Sequence, residues 1–540
     1  MKVIVAEKIS ERGVELLKQA GWNVVLTTKE TLNAEIADAD ALIVRSATKV
    51  TAELLDKAEK LRVVGRAGVG VDNIDLPEAT KRGVLVMSTP GGNAVSVAEH
   101  TFALLLALAR QVPRLDKAIH EGRWEKSSAA GTELRGKTLG LIGLGRIGSE
   151  VAVRAEAFDM RVLAYDPYIS EAGAHEMSVE LVPLEKLLAE SDFVSLHTAL
   201  SPATEKMINA AAIEKMKKGA RLVNAARGEL IDEAALAEAL KSGKLAGAAL
   251  DVFAEEPPKN SPLVGLANVI ATPHVAGSTA EAQEEVGTQI AVQVRDYLAE
   301  GVIRNAVNLP ALSADQYRRV RPYLELAERL GSLVSQAASS RPARIRIRYA
   351  GEVAEVGTHL LRSAVLAGLL NAVLDEKVNV VNAPSVAAAR GLAVEEETRR
   401  REHGFPNTLE VAALPELTAS QSLLPKTGAA AAFSAEGTVL HDGSPRVLQV
   451  DGISLEAQLE GTILYLRNRD EPGVIGQVGM TLGKHGVNIA TFALGRREAA
   501  LGAEAVSLVR LDGEVPASIL EPIRQIAAIT EAKLLHFGED

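Results

Sequence analysis

The sequence contains no cysteine among its 540 residues. Disulfide bridges, thiolate metal sites and cysteine nucleophiles are therefore excluded, and we expect no metal site. Positively charged residues are also fewer than negatively charged ones. The chain has 59 Lys and Arg residues and 70 Asp and Glu residues, which gives a net charge of −11 at pH 7. A nucleic-acid surface needs clustered Lys and Arg, so we expect no nucleic-acid partner.

Long hydrophobic runs are missing too. The N-terminal "MKVIVAEK" has too few apolar residues for a signal sequence, and the longest apolar run, at residues 101–109, is about half the length of a membrane span. These absences predict a soluble, cytoplasmic protein with no membrane partner. The length and the hydrophobic content of 47% predict three or four well-packed domains.

The segment "LGLIGLGRIGSE", residues 139–150, contains the glycine pattern Gly143, Gly145 and Gly148. The apolar residues before it predict a strand, and the spacing of those after it predicts a helix. Such a turn presents backbone N–H groups and the positive end of the helix dipole to a diphosphate. The next predicted strand ends in Asp166, whose carboxylate can accept hydrogen bonds from both ribose hydroxyls of NAD but would repel the 2′-phosphate of NADP. Glycines in a tight turn are often only structural, yet strand, helix and acid in register predict NAD as the cofactor.

The chain divides into segments of different character. From residue 2 to residue 87, β-branched runs alternate with helical stretches, as in a doubly wound α/β domain. A helix at 98–110 leads into the dinucleotide-binding domain, and a helix at about 280–298 is placed to carry the chain back, so two lobes enclose a cleft. Beyond residue 310, "RIRIRYAGE" has the alternation of a half-exposed strand, and from residue 462 the predicted order is βαββαβ, the ferredoxin-like order.

Three polar residues follow predicted strands of the dinucleotide domain. Arg227 in "VNAARGEL" could grip an α-hydroxy carboxylate with two hydrogen bonds. His274 in "ATPHVAGST" could accept the hydroxyl proton that must leave with a C2 hydride, and Glu256 in "LDVFAEEP" could orient that imidazole. Taken singly, each has a structural alternative: Arg227 as a surface ion pair, Glu256 as a turn acid before Pro257, and His274 as a capped loop histidine. Their common position at strand ends favours catalysis.

These segments carry a resemblance. "GLGRIG", "NAARGELIDEAAL", "AALDVFAEEPP" and "ATPHVAGST" resemble the D-isomer-specific 2-hydroxyacid dehydrogenase family. "RSATKVT" and "GRAGVGVDNIDLPEAT" narrow the match to its long members that oxidise 3-phospho-D-glycerate. The resemblance implies that Arg227 binds and polarises the substrate, that His274 is the acid and base, and that Glu256 is its partner. The implied cofactor contacts, besides the three glycines, are Arg146, Ile147, Asp166, Thr198, Ala225, Arg227, Asp251 and His274. Asp251 would hold the nicotinamide carboxamide.

The resemblance also implies the architecture. It comprises two doubly wound parallel-sheet lobes, flavodoxin-like for the substrate and Rossmann for NAD, then an α+β intervening domain and a ferredoxin-like ACT domain. The expected boundaries are residues 1–97 with 285–312 for the substrate domain and 98–284 for the NAD domain. The intervening domain, of the allosteric substrate-binding type, is expected at 313–453 and the ACT domain at 460–540. The sequence departs from the usual family pattern at two places, which affects the local backbone shape. Glu229 replaces a second glycine after Arg227, and "HVAGST" replaces "HLGAST".

Further residues are expected to line the cleft. Arg45 and Ser46 follow a predicted strand and offer a second cationic site, which suits a substrate with a phosphate as well as a carboxylate. Asn73 and Asn93 match family positions beside the same cleft, although turn chemistry is the alternative for both. Arg66 is expected to add positive charge toward the phosphate.

The C-terminal module is expected to bind an amino acid across a dimer interface. Asn468, Asp470 and Asn488 match the ligand positions, and L-serine is the implied ligand. The alternative is that this module only builds a homo-oligomer, a dimer or a tetramer.

The implied reaction is NAD-dependent oxidation of 3-phospho-D-glycerate to 3-phosphohydroxypyruvate, which opens phosphorylated L-serine biosynthesis. Two alternatives stay open. One is another D-2-hydroxyacid dehydrogenase, such as a glyoxylate or hydroxypyruvate reductase. The other is an NAD-sensing binding protein like the related transcriptional corepressors.

Overall fold

A computed structural model describes residues 1–28, 31–310, 314–338, 342–355, 357–374, 378–399, 405–414, 433–513 and 515–538. The strands of these residues form four sheets, of five, seven, six and four strands.

The first lobe is a parallel five-stranded sheet with helices on both faces. Its strands are β1 (Lys2–Val5), β2 (Asn23–Leu26), β3 (Ala41–Val44), β4 (Val63–Arg66) and β5 (Leu85–Met87), and its helices are α1 (Glu11–Gln19), α2 (Leu32–Glu35), α3 (Ala52–Lys57) and α4 (Leu76–Lys81). The order β2-β1-β3-β4-β5 is flavodoxin-like. Strand β3, "ALIV", is buried along its whole length, as a strand covered by helices on both faces should be.

The second lobe is a parallel seven-stranded sheet. Helices α5 (Ala94–Arg110) and α6 (Val112–His120) lead into it; its strands are β6 (Thr138–Ile142), β7 (Arg161–Tyr165), β8 (Glu180–Leu181), β9 (Phe193–Leu196), β10 (Ala220–Asn224), β11 (Leu245–Leu250) and β12 (Val269–Ala271), and its helices are α7 (Arg146–Ala157), α8 (Glu171–Glu176), α9 (Leu184–Glu190), α10 (Ala210–Lys215) and α11 (Glu233–Lys241). The order β12-β11-β10-β9-β6-β7-β8 is the Rossmann order with one added strand. Helix α12 (Ala280–Glu300) returns the chain to the first lobe and packs on α1.

Among the described residues, no single helix is both long and apolar enough to span a membrane. Helices α5 and α6 taken together are long and apolar enough by length and composition alone, and they are bent by 65° relative to each other.

The third sheet is mixed and lies against two long helices. Its elements are α13 (Ala314–Ala337), β13 (Arg344–Ala350), α14 (Thr358–Asn371), α15 (Ala383–Ala389), β14 (Ala393–Arg399), β15 (Thr408–Leu414), β16 (Phe433–Val439), β17 (Pro445–Val450) and β18 (Ile453–Ala457), with strand order β14-β13-β15-β16-β17-β18.

Strand β13 corrects one prediction, because it is not half-exposed. Arg344 and Arg346 are only 9% and 8% exposed. Ile345 and Ile347 point into the apolar core with α13 and α14. On the opposite face, Arg348 pairs with Glu397 at 2.7 Å and with Glu410 at 3.2 Å. The alternation of charged and apolar residues therefore separates an ion-paired face from a core face.

The fourth sheet has the ferredoxin-like element order. Its elements are β19 (Gly461–Arg469), α16 (Val474–Lys484), β20 (Ile489–Arg496), β21 (Glu504–Leu511), α17 (Leu520–Arg524) and β22 (Ile529–Phe537), with strand order β20-β21-β19-β22. The expected fold class is thus confirmed. Helix α17 is short and follows directly on a 3-10 turn, Ala517–Ile519. The domain boundaries remain predictions.

Candidate active site

Three neighbouring parallel strands of the second lobe deliver the candidate catalytic residues. Strand β10 pairs with β11, and β11 pairs with β12. Arg227 follows β10, Glu256 follows β11 and His274 follows β12. Because the carboxyl ends of parallel strands share one sheet edge, residues far apart in sequence come together.

The imidazole of His274 is held by a carboxylate. Its Nδ1 lies 2.8 Å from Oε2 of Glu256, and the side chains are 52% and 39% exposed. The other Glu256 oxygen, Oε1, accepts a hydrogen bond from the backbone N–H of Phe253 at 3.2 Å. This arrangement leaves Nε2 of His274 for a substrate hydroxyl.

Asp251 fixes the loop that follows β12. The carboxylate is fully buried. Its Oδ1 accepts hydrogen bonds from the Thr272 hydroxyl at 2.6 Å and from Val275 N–H at 2.9 Å, and its Oδ2 accepts one from Ala276 N–H at 2.8 Å. Nε2 of His100, on α5, lies 3.5 Å from Oδ1. Burial alone would raise the pKa of Asp251, but these hydrogen bonds outweigh it and lower that pKa.

Arg227 stands on a turn that its neighbours shape. The buried Asn224 accepts a hydrogen bond from Ala226 N–H at 3.0 Å and donates one to the Arg227 carbonyl at 2.8 Å. Gly228 packs so closely that a Cβ there would lie 1.9 Å from the carbonyl carbon of Phe253. The next position, Glu229, lies in a 3-10 turn without positive φ. The backbone at this position therefore does not require a glycine.

The first lobe supplies two further arginines. Arg45 follows β3 and Arg66 ends β4. Burial first, and then the nearby charges of Arg227 and Arg45, lower the pKa of Arg66. Within the described residues, the buried Nε of Arg66 has no hydrogen-bond partner. Guanidinium groups that repel one another across a cavity favour a bound anion.

All eight candidate substrate and catalytic residues line one cavity between the lobes, with a volume of about 470 Å3: Arg45, Ser46, Arg66, Asn73, Asn93, Arg227, Glu256 and His274. Asn73 also has the alternative turn role, since its amide donates to the carbonyls of Arg45 at 2.7 Å and Thr48 at 2.6 Å. Asn93 starts α5 without capping it, and its buried Oδ1 has no hydrogen-bond partner among the described residues.

The glycine turn fits a dinucleotide. Gly143 has φ of +97°, and a Cβ there would lie 2.5 Å from the carbonyl oxygen of His197. A Cβ at Gly148 would lie 2.2 Å from the Gly143 carbonyl oxygen, whereas one at Gly145 would meet nothing within 4 Å. Gly143 and Gly148 therefore close the strand onto the helix, and the bare face of Gly145 leaves room for a diphosphate. Asp166 follows β7 and accepts a hydrogen bond from Leu144 N–H at 2.8 Å, which places its carboxylate beside the turn.

The other expected cofactor contacts lie along the same sheet edge. Arg146 and Ile147 open α7, Thr198 follows β9 and Ala225 follows β10. Their contacts with NAD remain predictions.

The three candidate regulatory residues do not meet within one chain. Asn468 pairs in register with Ala505 at one end of β21, and Asp470 accepts a hydrogen bond from Arg496 at that same end. Asn488 donates to Asp512 beyond the other end. The two ends, Ala505 and Leu511, are six residues apart along the strand, which corresponds to roughly 20 Å. These residues can share a ligand only across two chains.

Sequence reasoning missed several supporting residues. The Glu7 carboxylate accepts hydrogen bonds from the N–H groups of Arg45, Ala47 and Thr48, at 2.9, 3.2 and 2.8 Å, and so shapes the loop after β3. Three other side chains also contact candidate residues. Asn224 and Asp72 accept or donate hydrogen bonds at Arg227, and His100 lies beside Asp251. In the sequence, only the position of Glu7 and Asn224 at strand ends could have indicated a supporting role. The hydrogen-bond partners of these residues are set by the tertiary fold.

Family models match three parts of the chain. The NAD binding domain of D-isomer specific 2-hydroxyacid dehydrogenases matches residues 102–276, the D-3-phosphoglycerate dehydrogenase intervening domain matches residues 319–451, and the ACT domain matches residues 462–528.

Curated relatives match the full length. The chain is 42% identical to the D-3-phosphoglycerate dehydrogenase of Methanocaldococcus jannaschii, over 99% of this chain and 100% of that protein. It is 39% identical to the D-3-phosphoglycerate dehydrogenase of Bacillus subtilis, over 99% of both.

Solved structures match a little more than half of the chain. The TT0316 protein from Thermus thermophilus is 37% identical with a TM-score of 0.52, and the match covers 57% of this chain and 100% of that one. D-lactate dehydrogenase from Aquifex aeolicus, complexed with NAD and lactic acid, is 33% identical with a TM-score of 0.51, over 58% of this chain and 100% of that one.

Proposed function

The chain belongs to the D-3-phosphoglycerate dehydrogenase family of D-isomer specific 2-hydroxyacid dehydrogenases, and on this basis we propose how its cavity oxidises 3-phospho-D-glycerate to 3-phosphohydroxypyruvate. The protein is an NAD-dependent oxidoreductase, and its reaction opens phosphorylated L-serine biosynthesis. The observation that carries the proposal is the convergence of three arginines and the His274–Glu256 pair on one cavity.

Each group has a task that its position supports. The Arg227 guanidinium binds the substrate carboxylate and polarises the oxygen on C2. Nε2 of His274 accepts the hydroxyl proton, and the Glu256 carboxylate stabilises the imidazolium that forms. Bound NAD supplies the acceptor for the C2 hydride. Arg45 and Arg66, on the opposite wall, bind the phosphate.

An NADH-linked assay tests this function. We expect turnover with 3-phosphoglycerate and much less with unphosphorylated D-2-hydroxy acids. Because Arg45 is assigned to the phosphate, Arg45→Gln should raise the KM for 3-phosphoglycerate steeply and leave the KM for D-lactate or D-glycerate nearly unchanged. Lys49→Gln, an exposed cation outside the lining of the cavity, is the matched control.

Two outcomes would favour the alternatives. An equal effect of Arg45→Gln on both substrate classes would indicate a different D-2-hydroxyacid dehydrogenase. Binding of NAD with no turnover on any hydroxy acid would indicate an NAD-sensing protein.

The finer assignments are also proposals. L-serine binds at the ACT domain between two chains, with Asn468 and Asp470 of one chain and Asn488 of the other, so the protein is at least a dimer and a tetramer is expected. Saturating L-serine should lower the rate, with D-serine as the control. If neither rate nor melting temperature changes, the ACT domain only builds the oligomer.

A further inference from the structure

Asp72 reaches across the cleft to the guanidinium of Arg227. The aspartate belongs to the first lobe and the arginine to the second, 155 positions later. Nε of Arg227 donates to Asp72 Oδ2 at 3.1 Å, and Nη2 lies 3.0 Å from the same oxygen. The approach depends on Gly70, where a Cβ would lie 2.0 Å from Arg227 Nη2.

A count of donors shows what this contact leaves free. A guanidinium has five N–H donors in a fixed plane. Asp72 accepts one from Nε, and the carbonyl of Ala226 accepts one from Nη1 at 2.8 Å. Nη2 approaches the same Asp72 oxygen only as an ion-pair contact. One donor therefore remains on Nη1 and two remain on Nη2, and one from each nitrogen can form the bidentate pair that a carboxylate needs.

This inference rests on the proposed function. We propose that Asp72 is a positioning residue: it holds the Arg227 guanidinium along one edge so that the unused N–H donors of Nη1 and Nη2 meet the substrate carboxylate. Arg227 is only partly exposed at 29%, whereas Asp72 is 68% exposed. Asp72 thus contributes little to the core, and its removal should alter substrate binding without unfolding the lobe.

Simple electrostatics predicts the opposite change in KM when the Asp72 charge is removed. The substrate carries a carboxylate and a phosphate, so removing a nearby negative charge would by itself strengthen binding. A carboxylate that merely occupied the substrate's place would also lower KM when removed. Positioning instead predicts that KM rises, because the freed guanidinium loses its fixed orientation.

The test compares variants of the full-length protein. Asp72→Asn should raise the KM for 3-phosphoglycerate about tenfold, leave the Kd for NAD unchanged, and keep the melting temperature. Asp72→Glu should recover part of the loss. Asp56→Asn is the matched control, because Asp56 is 73% exposed and pairs with Arg82 at 2.9 Å in the same lobe but outside the cavity. An unchanged or lower KM in Asp72→Asn would overturn the proposal.

A binding measurement separates this proposal from the proposed function. Oxalate, a dicarboxylate probe, is titrated into the NADH complex of wild type, Asp72→Asn, Arg227→Lys and the double variant. We expect Asp72→Asn to weaken oxalate binding in the Arg227 background and to change it less than about twofold in the Lys background. Equal effects in both backgrounds would overturn the role of Asp72. Absence of turnover in wild type would overturn only the proposed reaction, since the oxalate cycle still decides the role of Asp72.

Discussion

At the scale of single residues, the pairing of His274 with Glu256 is the basis of the proposed proton transfer. A carboxylate 2.8 Å from Nδ1 is placed to orient the ring. Glu256→Gln keeps the shape and removes the charge, so kcat should fall about 100-fold while the Kd for NAD stays unchanged. Steady-state kinetics and an NAD titration measure both. Glu255→Gln, at the exposed neighbouring position, is the control; a kcat within threefold of wild type would contradict the assigned role.

His197, beside the glycine turn, predicts a pH dependence of stability. Burial lowers its pKa from 6.5 to about 4. In the unfolded chain the ring binds a proton as the pH falls below 6.5, but in the folded chain it stays neutral until about pH 4. The free energy of unfolding should therefore decrease by roughly 3 kcal/mol as the pH falls from 6.5 to about 4.

The unfolding midpoint measured from pH 7 to pH 4 checks this. His197→Gln should flatten the dependence relative to wild type. The control, His120→Gln, changes a histidine that is 79% exposed and should leave the slope unchanged. An equal slope in all three proteins would refute the assignment.

At the scale of elements, the turn from β6 to α7 separates steric from functional glycines. Gly145→Ala should fold with an unchanged melting temperature, because the new methyl meets nothing within 4 Å. The same methyl occupies the space for the pyrophosphate, so the Kd for NAD should rise about tenfold or more. Gly148→Ala should instead destabilise the lobe, since its methyl would lie 2.2 Å from the Gly143 carbonyl oxygen.

Calorimetry and fluorescence titration distinguish the two glycine variants. Gly173→Ala in α8 is the control, because its methyl would make only ordinary contacts of 3.4 Å or more. Normal NAD binding by Gly145→Ala would show that the cofactor lies elsewhere.

Most elements were predictable because their local patterns are strong. The strand, glycine turn, helix and acid around β6, α7 and β7 follow from apolar runs and glycine spacing. Strand β13 was predicted as a strand, but its burial was wrong. Local alternation cannot tell whether a charged face meets water or the ion pairs of neighbouring strands.

At the scale of the whole molecule, the two regions of the C-terminal half share an apolar core, although the ACT region also has a core of its own. One apolar core joins Leu361 and Ile345 of the intervening region to Tyr465 and Leu508 of the ACT region. The intervening region also contacts the first lobe: Val381 joins the core of that lobe, and Asn379 donates to the Gly83 carbonyl at 2.8 Å.

Truncation after residue 310 tests whether the first two lobes fold and remain active without the C-terminal half. Two solved neighbours are covered completely by matches to only 57% and 58% of this chain, so we expect the chain truncated to its first two lobes to fold and to keep kcat/KM within about threefold. It should lose any response to L-serine. An unchanged response, measured beside the full chain, would place the serine site in the catalytic lobes.

The sequence by itself determined the fold class and the cofactor and predicted the trio of Arg227, Glu256 and His274, because glycine spacing, strand periodicity and the polar residues after strands are local properties of the chain. Only the tertiary structure decided which groups hold that trio in place. Asp72 meets Arg227, and His100 meets Asp251, through contacts between segments more than 100 positions apart. Such contacts depend on how sheets and lobes pack in space, and no local pattern in the sequence records that packing.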